Sequence, residues 1–143
     1  PDTYFRSGPP RLVTAIRLVV GSSAVALVTG TVVTASGPHA GDEKAIRLGF
    51  ALTSVARVHS VSVLVTIALI IFLAVRAKQL QGDASVTDAI QALLFAAVFQ
   101  GAIGYAQYFT GVPVALVALH IAGATALWFA VCNLAVTPSH GTL

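Results

Sequence analysis

Charge is scarce in this chain and cysteine nearly absent. Of 143 residues, 9% are charged and one, Cys132, is a cysteine. A single thiol excludes a disulfide-stapled scaffold. An apolar content of 57% with a mean hydropathy of +0.89 excludes both a disordered tail and an ordinary water-soluble domain. Eight Lys and Arg against five Asp and Glu are too few for the basic face of a nucleic-acid binder, so no nucleic-acid partner is expected. In such a chain the bases mostly set orientation in a bilayer, and the main partner expected for its surface is membrane lipid.

What the sequence has in quantity is long uncharged apolar stretches. A hydrocarbon core about 30 Å thick takes roughly 20 residues of helix, and four such stretches fit, at about 11–34, 54–78, 86–108 and 114–136. Helix is preferred to strand because the runs exceed strand length, and in lipid only helices or closed barrels satisfy the backbone. The expected fold is therefore all-α, a membrane-embedded four-helix bundle occupying 1–143 as one domain. Segment 35–53, with Ser36-Gly37-Pro38 and the charges Asp42, Glu43, Lys44 and Arg47, is the longest aqueous loop. Gly82 and Asp83 mark the next connection, and Phe109 to Pro113 the last, where the proline prepares the first turn of the final helix.

With both termini on one side, that side carries Arg6, Arg11, Arg17, Arg76 and Lys78 against Lys44, Arg47 and Arg57 on the other. The excess predicts cytoplasmic termini. The first span also has features of a signal sequence, although its apolar stretch is long for one, and Pro1 in place of methionine points to a longer or processed chain.

Chemistry must come from polar residues that lipid would normally reject. His39 and His140 fall in the aqueous loop and tail and read as solvated. His59 and His120 lie inside the second and fourth spans, five or six residues from the presumed outer face. At 1.5 Å rise per residue that is roughly 8 to 9 Å of depth for both. Two parallel helices can thus present imidazoles at one level. No Cys, Asp or Glu lies at that depth to complete a four-ligand zinc site. A haem brings four nitrogens of its own and needs only one or two axial ligands, so two histidines suffice. The bland alternative is a pair of buried histidines bonded to backbone carbonyls or lining a water cavity.

Ser62 and Gly123 each follow a histidine by three residues, on its helical face, and as small side chains would leave room for a flat macrocycle or simply for close helix packing. Local similarity between ARVHSVSVLV and LVALHIAGAT suggests two hairpins, each ending in a histidine-bearing helix. Arg57 is placed either to pair with haem propionates or to snorkel to the interface. Gln100 and Gln107 share a face of the third span, with Tyr105 and Tyr108 near its end; interhelical bonding and an aromatic belt account for them as well as a cofactor edge does. Cys132 reads as packing.

The order GTVVTASGPHAGD, ARVHS, QGAIGYAQYFTGVPVALVALHIAGA resembles the carboxy-terminal half of haem A synthase, of the actinobacterial type, over about Arg11 to Val136. The most specific stretch runs from Gln100 through Gly104, Gln107, Tyr108, Gly111 and Pro113 to His120. The resemblance implies half of an eight-helix pseudo-symmetric oxidoreductase that converts the methyl group of haem O to the formyl group of haem A for terminal oxidase assembly. It implies haem b, with its iron held by His59 and His120, in this half. The partners it implies are an amino-terminal half that takes haem O, an unidentified electron donor, and haem O synthase or the receiving cytochrome oxidase. Catalytic residues are not identified in this half. Ala56 stands where the substrate half has a glutamate, and the loop from Ala35 to Thr53 lacks that half's cysteine pair, so this segment alone is expected to be inactive. The rival readings are a stand-alone bis-histidine cytochrome b that carries electrons and a haem-free membrane assembly subunit or transporter fragment.

Overall fold

The computed structural model describes residues 10–38, 46–79 and 84–136. Four helices account for nearly all of them: α1 (Pro10–Ser36), α2 (Leu52–Gln79), α3 (Ala84–Phe109) and α4 (Val114–Val136). Each is long and apolar enough to cross a membrane. The fold is the expected all-α four-helix bundle, with boundaries close to those read from hydropathy. No boundary moves by more than two residues: α1 ends at Ser36, α2 begins at Leu52 and α3 begins at Ala84. His39, His140 and the charges Asp42, Glu43, Lys44 and Asp83 lie outside the described residues, as does Arg6.

The helices form a ring in which α1 meets α2 and α4, and α3 meets α2 and α4. Among the described residues neither diagonal pair, α1 with α3 or α2 with α4, brings its backbones together. The packed core comes from short stripes with helical spacing: Leu12, Ala15 and Val19 on α1, Ile70, Leu73 and Ala77 on α2, Ile90, Leu93 and Ala97 on α3, and Val131 and Leu134 on α4. Steps of three and four keep each stripe facing its neighbours.

All these residues lie in one half of the bundle, the half holding the start of α1 and α3 and the end of α2 and α4. Two buried polar residues, Ser23 and Thr66, mark where that packing stops. Thr66 satisfies its hydroxyl by donating to the Ser62 carbonyl at 2.9 Å. Farther on, towards the start of α2 and α4, Gly37 is the one buried position among the described residues. The bundle is therefore closed at one end and loosely packed at the other. Large exposed side chains such as Phe95, Phe99 and Phe129 face outward, as expected of surfaces solvated by lipid.

The turn into α4 has a defined geometry. Val112 donates its backbone N–H to the Gln107 carbonyl at 2.7 Å, and Gly111 has φ +81, the Schellman pattern that satisfies the last carbonyls of a helix. Val112 itself has φ 60, a conformation that costs a β-branched residue about 1–3 kcal/mol. The Pro113 carbonyl then accepts from Val117 at 3.0 Å, starting α4.

Because stability resides in the closed end, Leu73→Ala, at a site with no exposure, should cost about 2–5 kcal/mol. Phe95→Ala, at a site 74% exposed, should cost far less because lipid or detergent fills the space. Thermal unfolding in detergent compares the two; equal losses would contradict a core confined to the inner stripes.

Candidate functional site

The two intramembrane histidines are brought together at the loosely packed end. His59 is the eighth residue of α2 and His120 the seventh of α4, so their depths differ by about one 1.5 Å step. Their helices sit on a diagonal of the ring without backbone contact, yet their imidazole centroids are 6.5 Å apart, with the planes at 87°. The rings span the middle of the bundle. Both histidines are half-buried.

Each ring lies against a glycine of the helix that precedes its own. A Cβ built on Gly30 of α1 would stand 3.1 Å from His59 Cε1, and one on Gly104 of α3 would stand 3.0 Å from His120 Cε1. A larger residue at either position would have to push the imidazole aside. These two glycines, rather than the small residues three positions after each histidine, clear the space around the rings. Ser62 and Gly123 instead contact the groups that hold the rings, Thr29 and Gln100.

On the first hairpin, Thr29 Oγ1 is 3.1 Å from His59 Nδ1 and 2.9 Å from Ser62 Oγ. The Thr29 hydroxyl donates within α1, to the carbonyl of Val25 at 2.9 Å or that of Ala26 at 3.0 Å. Its oxygen is then left to accept from Nδ1–H. Ser62 directs its one hydroxyl proton to the Thr29 oxygen or to the His59 carbonyl, 2.7 Å away. On the second hairpin a single side chain fills both places. Gln100 Nε2 is 3.1 Å from His120 Nδ1 and donates to the His120 carbonyl oxygen. Each ring also lies within reach of a backbone acceptor on the facing helix, His59 of Ala26 and His120 of Gln100. Ala26 and Gln100 both lie four residues before the glycine that receives the ring. At His59 the Thr29 oxygen can take an Nδ1 proton; at His120 the Gln100 amide nitrogen is a donor, so a ring proton there can go only to the Gln100 backbone carbonyl, with the amide then packed against Nδ1 rather than bonded to it.

Gly123 explains how the amide fits: a Cβ there would run into Gln100 Oε1. The repeat inferred from ARVHSVSVLV and LVALHIAGAT thus has a structural counterpart, with glycine, imidazole and backbone acceptor in matching places and different side chains holding the rings.

The remaining polar residues fall around this centre. Gln107 shares the Gln100 face of α3, one turn beyond Gly104, and its Oε1 is buried without a hydrogen-bond partner among the described residues. Arg57 is exposed near the start of α2. Tyr105 and Tyr108 are exposed at the end of α3 and pack on Phe109, with centroids at 6.2 and 5.5 Å, as an aromatic belt would. Cys132 is a free thiol near the opposite end. No group of three or more His, Cys, Asp or Glu that could hold a metal ion by themselves occurs among the described residues.

Comparisons with models of protein families, with curated proteins and with solved structures found no match.

The glycine contacts are open to direct test. In protein with 15N-labelled histidine, Gly30→Val should move the ring resonances of His59 most, and Gly104→Val those of His120. Unchanged ring signals in both variants would show that the imidazoles do not rest on these glycines.

Proposed function

We propose that this bundle binds one haem b between His59 and His120 and forms the carboxy-terminal, cofactor-holding half of a haem A synthase. The observation that carries the haem reading is the separation of the two rings. With a metal–imidazole bond of about 2.0–2.1 Å and about 1.1 Å from ring nitrogen to centroid, two imidazoles on opposite sides of one metal have centroids about 6.3 Å apart. The measured value is 6.5 Å.

Three further features suit a tetrapyrrole. The bundle is loosely packed at the histidine level. Two glycines hold space for the rings, and the buried Gln107 Oε1 is unpaired beside them among the described residues. The chain contains no methionine and Cys132 is at the other end, so among the described residues at this level histidine is the side chain of the usual haem-ligating kinds.

When bound, haem supplies a one-electron couple. The chain's own residues do the rest. His59 and His120 would each offer a ring-nitrogen lone pair to the haem, while Thr29, Ser62 and Gln100 hold the imidazoles in place. The spans that carry the histidines are apolar, a condition that, with axial ligation, would set the potential of such a centre. The assignment to haem A synthase rests on the motif resemblance, which spans most of the chain. In that enzyme this half would pass electrons or shape the site while an amino-terminal half oxidises haem O. The expected location is the cell membrane with both chain ends on the cytoplasmic side. Arg17, Arg76 and Lys78 lie towards the closed end and Arg47 and Arg57 towards the histidine end, in keeping with that orientation.

The test is expression of the complete gene in a haem-producing host, with reduced-minus-oxidised spectra for the wild type, His59→Ala and His120→Ala. Both variants should lose or alter the haem signal. Full, spectrally unchanged haem in both would overturn the ligand assignment, and a wild type without a Soret band would favour the haem-free assembly subunit.

A further inference from the structure

We propose that Gln100 is a positioning residue that fixes the plane of the His120 imidazole at right angles to that of His59, and so sets the electronic symmetry of the iron site. This rests on the reading of the two histidines as axial ligands.

The argument begins with the double contact of the amide. Gln100 Nε2 touches Nδ1 of the His120 ring at 3.1 Å and donates to the carbonyl of the same residue. One planar group, bonded to the His120 backbone, therefore packs against the His120 ring, which restricts rotation about both side-chain torsions. The ring's other side is limited by Gly104, whose built Cβ would lie 3.0 to 3.6 Å from Cε1, Nδ1 and Nε2. The amide is itself confined, because Gly123 provides a slot that any Cβ would close against Gln100 Oε1.

The His59 ring is held by a different device. Thr29 Oγ1 touches its Nδ1 and is anchored to α1 carbonyls and to Ser62. The 87° between the planes is thus the sum of two independent clamps, one of hydroxyls and one of an amide. Removing the amide frees one ring and leaves the other held.

The angle has a physical consequence. Each imidazole donates π density to the iron d orbital lying perpendicular to its ring plane. Two rings at right angles load both dπ orbitals equally and keep them nearly degenerate, which gives a ferric low-spin signal with a very large maximal g value. Parallel rings load one orbital, split the pair and lower that value.

The test uses the full chain purified with its haem. Low-temperature electron paramagnetic resonance is recorded beside optical haem content for the wild type, Gln100→Leu, Gly123→Ala and a control, Thr125→Val, whose hydroxyl bonds only within α4. Wild type and control should show the large-g signal. Gln100→Leu should retain haem and shift its maximal g to a lower value, and Gly123→Ala, which keeps the amide but displaces it, should shift it the same way. If Gln100→Leu loses haem, Gly123→Ala carries the comparison. A rhombic, lower-g wild type, or haem-loaded variants with the wild-type g value, would overturn the role of Gln100 while leaving axial ligation intact. A wild type without haem would instead remove the reading on which this inference rests.

Discussion

A four-helix bundle closed at one end and loosely packed at the other depends on the closed end to hold its helices in register. Here the stripes around Ile70, Leu73, Ile90 and Val131 are fully or almost fully buried, and they stop at Ser23 and Thr66. Beyond them no large side chain is buried among the described residues. In lipid, separating helices carries little hydrophobic penalty, since the tails are as apolar as the side chains they replace. Polar groups are what such a gap must account for. That constraint makes the histidine level informative: almost every polar atom there has a partner, and the two imidazoles come within 6.5 Å of each other across one diagonal.

The arrangement also shows how a repeated hairpin can keep a geometry while changing its chemistry. Glycine, imidazole and backbone acceptor recur in both halves. Thr29 and Ser62 on one side are matched by Gln100 on the other, and Gly123 is the accommodation that the longer amide requires. Neutral hydrogen bonds of this kind contribute about 0.5–1.5 kcal/mol each, so their main effect is on orientation rather than stability. Groups that hydrogen-bond to a metal ligand commonly tune its basicity and direction.

Much of this was legible in the sequence, and the remainder was not for a physical reason. Hydropathy located all four helices, and equal depth selected His59 and His120 before any contact was known. The residues that touch the rings were harder to find. Around a helix in lipid, core-facing and lipid-facing sides are both apolar, so patterning does not show which way Gly30 or Gly104 points. Spacing along one helix drew attention to Ser62 and Gly123 instead. Both do lie at the site, but Ser62 sits between Thr29 and the His59 carbonyl and Gly123 yields its space to Gln100. The ring-bearing glycines sit on the neighbouring helices, and nothing along either chain segment alone gives the rotation that brings them to the imidazoles.

The central claim is that one iron is shared by one imidazole from α2 and one from α4. Near-infrared magnetic circular dichroism of the oxidised, purified protein reads axial ligand pairs directly. The account predicts a bis-imidazole band with intensity for one haem per chain; a high-spin spectrum, or a band from a different ligand pair, would contradict it.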